Sequence, residues 1–178
     1  GARARELPNI KIDGQKVIEY RKAMSLEKQP ESLLVVGSGA IGMEFAYVYA
    51  SMGTKVTVVE FLPNLVPVED EDISKEIAKQ YKKLGIETLV NSAVQTVDTT
   101  GKGCKVSVKT PDGEKTFEVD VVLSAAGIVS NIENIGLEET GIATDKGKIT
   151  VNEWYETSVP GYYAIGDCTP GQALAHVA

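Results

Sequence analysis

The chain has 178 residues, 43% hydrophobic and 24% charged, which suits a globular fold with one full core, or one domain carrying pieces of a neighbour. Eighteen basic residues stand against 25 acidic ones, for a formal net charge of -7. Lys79, Lys82 and Lys83 read as a solvated helix face, so the basic surface that nucleic acid requires is missing. The longest apolar runs are strand-sized, which excludes a membrane-spanning helix, and no signal peptide is legible at Gly1–Glu6. Two cysteines, Cys104 and Cys168, are too few for a disulfide scaffold and fit a reducing, cytoplasmic setting.

Residues 1–30 are polar and punctuated by Pro8 and Pro30, and read as loops around short elements, with one helical turn expected at Ser25–Lys28. Leu33–Val36 is a continuous apolar run of the kind buried in a parallel sheet. A helix is expected over Ala40–Met52, with Ile41, Phe45, Val48 and Met52 packed on the sheet and Gly53 as its stop. Val56–Val59 forms the next strand, ending at Glu60. Pro63 and Pro67 mark a connection. The acidic run Glu69–Asp72 then opens a second helix, whose buried stripe reads Ile73, Ile77, Tyr81 and Leu84. Ile86–Leu89 is a third strand. From Ala93 the pattern switches to period two across two turns, the second being Pro111-Asp112-Gly113, and predicts an antiparallel three-stranded meander as the crossover. Val121–Ser124 returns as a buried parallel strand. Beyond Gly127 most of the chain reads as loop, with short strands at Ile149–Val151 and Tyr162–Ile165. A helix is expected from Gln172 to Ala178, where the sequence stops after two turns. That stop, and a start without methionine, predict a piece of a longer polypeptide.

The chemistry lies in Gly37-Ser38-Gly39-Ala40-Ile41-Gly42, set between a buried strand and an apolar helix and followed by a strand that ends in an acid. Gly37 permits a tight turn, Gly39 lets backbone approach a pyrophosphate, and Gly42 lets helix and strand pack closely. Free amides opening the helix then receive the phosphate charge. Glu60 lies 18 residues past Gly42, where a carboxylate accepts from ribose hydroxyls and repels a 2′-phosphate; Phe61-Leu62-Pro63-Asn64 adds no arginine to welcome one. NAD is therefore favoured over NADP. FAD stays open from the motif alone, as do a glycine-rich turn without a ligand and an exposed loop acid at Glu60.

Three separated segments then carry a resemblance over essentially all 178 residues. They are Leu34–Ala46, Gly161–Asp167 and Leu174–Ala178. Together they resemble the pyridine nucleotide–disulfide oxidoreductases, and among these the dihydrolipoamide dehydrogenases. Gly1–Pro8 is similar to the stretch where such enzymes leave their FAD domain. The resemblance implies an α/β, Rossmann-like FAD/NAD(P)-binding domain, with a central parallel sheet, helices on one face and the meander crossover on the other. It implies a residual FAD-domain exit segment and linker over 1–29, an NAD-binding domain over 30–152, and a return into the FAD domain over 153–178. NAD would meet Gly37, Ser38, Gly39, Ala40, Ile41, Gly42, Glu44, Glu60 and Gly127. Glu44 would stand at the nicotinamide–flavin contact. FAD would meet Gly166, Asp167, Leu174, Ala175 and His176.

The same resemblance implies oxidation of protein-bound dihydrolipoamide with reduction of NAD+, in a flavoprotein homodimer served by a lipoyl-bearing carrier of a 2-oxoacid dehydrogenase or glycine cleavage complex. The redox cysteine pair and the catalytic His–Glu pair of such enzymes have no counterpart here, so the chain alone is expected to be inactive. A departure also stands at Gly127-Ile128-Val129-Ser130-Asn131, where the family often carries Gly-Arg-x-Pro-Asn. The alternatives are an NAD(P)H-dependent disulfide reductase of the same superfamily and a non-catalytic dinucleotide-binding module. His176 and Cys168 are read as non-catalytic, Asp145–Lys148 as a turn without a metal, and Trp154 and Tyr155 as packing a loop.

Overall fold

In a computed structural model describing residues 1–178, the strands are β1 (Ala2–Ala4), β2 (Val17–Ile18), β3 (Ser32–Val36), β4 (Lys55–Val59), β5 (Glu87–Leu89), β6 (Ala93–Asp98), β7 (Cys104–Thr110), β8 (Gly113–Val119), β9 (Val121–Ser124), β10 (Ile128–Ser130), β11 (Thr144–Asp145) and β12 (Lys148–Ile149). The helices are α1 (Tyr20–Ala23), α2 (Ala40–Ser51), α3 (Glu71–Lys83) and α4 (Leu137–Thr140). They fall into two compact units, Ala4–Gly127 and Gly1–Arg3 with Ile128–Ala178.

The larger unit is built on a parallel sheet in the order β2-β9-β3-β4-β5. Strands buried on both faces must be apolar at consecutive positions, and β3 is: Leu33 and Val35 point into one core, Leu34 and Val36 into the other. On the first face Met43, Ala46 and Tyr49 of α2 cover Leu33, Val35, Val56, Val58 and Leu123, with Ile77 and Tyr81 of α3 packed beside them. On the second face β6, β7 and β8 form the antiparallel meander. Its inward residues Val94, Cys104, Val106 and Val108 cover Leu34, Val36, Val59 and Val122. The predicted architecture, helices on one face and meander on the other, is the observed one.

Several local expectations are corrected. Val48 and Met52 are 47% and 52% exposed, and α2 instead buries Gly42, Met43, Ala46 and Tyr49. This helix is apolar on nearly every side, so spacing alone does not select its inner face. The Tyr49 hydroxyl helps fix the rotation by donating to the Ala23 carbonyl at 2.7 Å. In α3 the exposed Ile73 and Leu84 leave the stripe to Ser74, Ile77, Ala78 and Tyr81, because the Ser74 hydroxyl is drawn inward to the Leu65 carbonyl at 2.7 Å. The early helical turn is α1, not Ser25–Lys28, since Glu19 caps it by accepting from the Arg21 and Lys22 amides. Val17–Ile18, expected within a linker, is an edge strand of the sheet.

In the smaller unit β1 pairs with β10, and β11 pairs antiparallel with β12. Arg3 donates to both carboxylate oxygens of Glu133 and to Asn131; these hydrogen bonds hold the Glu133 carboxyl down to about 2. The expected strand Tyr162–Ile165 is reduced to a bridge between Glu156 and Tyr163, and Val151 to a bridge with Thr157. Gln172–Ala178 is exposed and forms a turn, with Val177 donating to Leu174, rather than a helix. Two helical turns without a packing partner do not offset the cost of nucleation. Trp154 is 74% exposed and does not pack a loop as expected, whereas Tyr155 is covered over more than half of its surface.

The rotation of α2 is directly testable by urea unfolding. Met43→Ala is expected to cost about 2–5 kcal/mol, whereas Met52→Ala stays within about 0.5 kcal/mol.

Candidate functional site

The strand order reverses at β3. From β3 the chain moves outward to β4 and β5, and after the meander it returns to β9 on the other side. In open α/β sheets the crevice outside the carboxyl ends of two such strands is where ligands bind. Here that crevice is edged by Gly37–Gly39 after β3 and by Ala125–Gly127 after β9. The strand ends are tied laterally: Ala125 N–H donates to Val36 at 2.9 Å, Gly37 N–H to Val59 at 2.9 Å, and Glu60 N–H to Leu89 at 2.7 Å.

The three glycines of the turn have different reasons to be glycine. Gly37 has φ +101, and a side chain there would stand 2.6 Å from the Ala125 carbonyl oxygen. A side chain on Gly42 would overlap the Gly37 carbonyl and press on Val35. Gly39 has an ordinary φ of -67, and a side chain there would meet nothing within 4 Å. A side chain at position 39 would thus meet neither backbone strain nor a neighbouring atom.

Gly39 caps α2 without a side-chain hydrogen bond, and the first helical bond runs from Met43 N–H to the Gly39 carbonyl at 3.0 Å. The amides of Ala40, Ile41 and Gly42 thus precede the helical ladder, at the positive end of the dipole. Ala40 is exposed, Ile41 half-buried and Gly42 buried. Ser38, between the two glycines, is fully buried.

Glu60 is 6% exposed, and its carboxylate is held by three donors. Ser38 N–H and Ser38 Oγ both donate to Oε2 at 2.7 Å, and Leu62 N–H donates to Oε1 at 2.8 Å. The reading of Glu60 as an exposed loop acid is thereby overturned. Register explains the meeting: Val36 pairs with Val59 in parallel strands, so the next residues on β3 and β4, Gly37–Ser38 and Glu60, come side by side. The segment after Glu60 folds back on the same turn, with buried Val66 donating to the Ser38 carbonyl at 3.0 Å. The Ser38–Glu60 pairing escaped the sequence reading, although strand register was the signal for it.

Glu44 is exposed on the second turn of α2. Beside it, Tyr81 Oη donates to the Met43 carbonyl at 2.8 Å, and burial followed by the charge of Glu44 pushes the Tyr81 phenol up. Gly127, at φ +101, has its carbonyl bound by Arg5 N–H at 2.9 Å and the Arg5 guanidinium near its Cα. In the smaller unit Gly166 takes φ +79, half-buried Asp167 has its carbonyl bound by Ser130 Oγ at 2.7 Å, and Leu174, Ala175 and His176 are exposed. The crevice residues and this second group are described within separate units. Cys104 is buried in β7 and its thiol is pushed up by burial; Cys168 is half-buried. A cavity of about 520 Å³ lined by Gly14, Lys22, Pro30, Glu31 and Asp120 lies at the amino ends of β3 and β9, away from the glycine turn.

The profile of the pyridine nucleotide-disulphide oxidoreductase family matches residues 1–178. The chain belongs to that family. It is 42% identical to a dihydrolipoyl dehydrogenase of Zymomonas mobilis and 40% identical to one of Bacillus subtilis, in each case over 100% of the chain and 38% of the relative. Among solved structures it is similar to LpdA of Mycobacterium tuberculosis, with TM-score 0.88 and 36% identity over 100% of this chain and 38% of that one. It is also similar to the HOCl-induced flavoprotein disulfide reductase RclA of Escherichia coli, with TM-score 0.87 and 27% identity over 99% of this chain and 40% of that one. The chain therefore spans under half the length of the relatives it matches. No helix is long and apolar enough to cross a membrane.

The glycines separate by an unfolding measurement. Gly42→Ala is expected to lower stability by about 1–3 kcal/mol through forced repacking, while Gly39→Ala leaves it within about 0.5 kcal/mol, both read by chemical denaturation.

Proposed function

We propose that this chain is the NAD-binding domain, with flanking pieces of the FAD domain, of a dihydrolipoyl dehydrogenase that oxidises protein-bound dihydrolipoamide and reduces NAD+. The observation that carries the reading is Gly39, a glycine the fold does not need, set in open space at an uncapped helix start with Glu60 held one strand away. The diphosphate of NAD fits beside the amides of Gly39, Ala40 and Ile41. Gly37 and Gly42 shape the turn behind them, and an adenosine ribose fits at Glu60. The buried carboxylate opposes a 2′-phosphate, which selects NAD over NADP. The names of the relatives support the dehydrogenase assignment.

Glu44, exposed on the second turn of α2, would steer the nicotinamide side of the crevice, and Gly127 would bound its far lip. In the longer protein Gly166, Asp167, Leu174, Ala175 and His176 would belong to the FAD site on a return over 153–178, and the NAD domain over 30–152 would take its edge strand β2 from the preceding exit segment over 1–29. When bound, the nicotinamide and flavin supply the hydride chemistry, and this chain's residues bind and orient. Cys104 is buried within the meander and Cys168 half-buried; the redox cysteine pair would lie elsewhere in the longer protein, and the chain alone is proposed to lack dehydrogenase activity. The complete enzyme would act as a cytoplasmic homodimer on a lipoyl carrier of a 2-oxoacid dehydrogenase or glycine cleavage complex. Similarity to a flavoprotein disulfide reductase keeps a second reading, a disulfide reductase of the same family.

Titration of nicotinamide fluorescence with NADH and NADPH checks the cofactor reading. NADH is expected to bind about tenfold or more tightly than NADPH, a difference near 1.4 kcal/mol; equal or tighter NADPH binding overturns it.

A further inference from the structure

We infer that Ser38 is a specificity-determining positioning residue, whose hydroxyl fastens the Glu60 carboxylate to the glycine turn and thereby sets the discrimination between a ribose diol and a 2′-phosphate. The inference rests on the dinucleotide reading above and deepens it. An ionised carboxylate has about four acceptor positions. Ser38 N–H, Ser38 Oγ and Leu62 N–H take three of them, at 2.7, 2.7 and 2.8 Å. The carboxylate is thus fixed in orientation with about one acceptor position uncommitted, enough for a single ribose hydroxyl.

The hydroxyl matters because of where Oε2 lies. Ser38 is fully buried and Glu60 nearly so, so water does not readily replace a lost donor. Without Oγ, Oε2 keeps only the Ser38 amide, and the carboxylate gains by swinging toward solvent. A swung carboxylate must be recaptured before it accepts from ribose, which weakens NADH. Its charge also leaves the place where it opposes a phosphate, which relieves NADPH. Ser38 itself touches neither nucleotide: no part of it reaches the surface, and its carbonyl is engaged by Val66. The middle position of the glycine motif thus acts through Glu60.

The test is a double-mutant cycle on this chain, comparing wild type, Ser38→Ala, Glu60→Ala and the double variant by NADH and NADPH titration. Ser38→Ala is expected to lower the NADH-over-NADPH preference by about tenfold, the equivalent of one charged hydrogen bond. In the Glu60→Ala background the same substitution is expected to change the preference by less than about twofold, since its only route is gone. Ser38→Gly, which also removes the hydroxyl, runs in parallel and carries the test if the alanine variant does not fold by circular dichroism. A preference unchanged by removal of the hydroxyl, or both nucleotides weakened equally in both backgrounds, overturns the inference and leaves the NAD reading standing. A wild-type chain that binds neither nucleotide overturns both.

Discussion

The carboxylate of Glu60, held under three donors at the carboxyl end of β4, is the constraint on which the site turns. A buried anion with those donors removed would be costly, so the turn and the strand end must stay together. That single group ties the middle of the glycine turn to β4 and, through Leu62, to the start of the following connection. The connection returns the tie at Val66, whose amide reaches the Ser38 carbonyl. The glycine turn is therefore enclosed on one side by a polar clamp and on the other by the Ala125 carbonyl against Gly37. Only the Gly39 corner is left facing open space.

This enclosure explains why the fold places chemistry where it does. A parallel sheet covered by α2 and α3 on one face and by the meander on the other has its apolar surface spent on the core. What it leaves for ligands is the rim at the strand ends, where backbone amides are unpaired by geometry rather than by accident. The helix rotation that buries Met43, Ala46 and Tyr49 also brings Gly42 against Gly37, which fixes the uncapped amides relative to the clamp. Packing and site are one arrangement.

The sheet was legible because valine- and leucine-rich runs of four or five residues leave few other options, and the switch to period two exposed the meander. The three glycines and Glu60 were legible through their spacing. The faces of α2 and α3 were not: α2 is apolar around most of its circumference, and in α3 a serine takes the inner position that an isoleucine was expected to fill. Such choices are made by partners outside the helix itself, the Ala23 carbonyl for Tyr49 and the Leu65 carbonyl for Ser74, which helical spacing does not reveal. The terminal segment shows the same limit in reverse: Gln172–Ala178, expected as a helix, is exposed and forms a turn. Ser38 was read only as a member of the phosphate turn, and its bond to Glu60 emerges once the register of β3 and β4 is known.

The most direct measurement is an amide-resolved NMR titration of the chain with NADH. The account predicts that the largest shifts fall on Gly39, Ala40 and Ile41, on Glu60 to Leu62, and on Ala126 and Gly127, around one crevice. Shifts confined to the amino ends of the strands, near Gly14, Lys22 and Asp120, or spread without a centre, would contradict it.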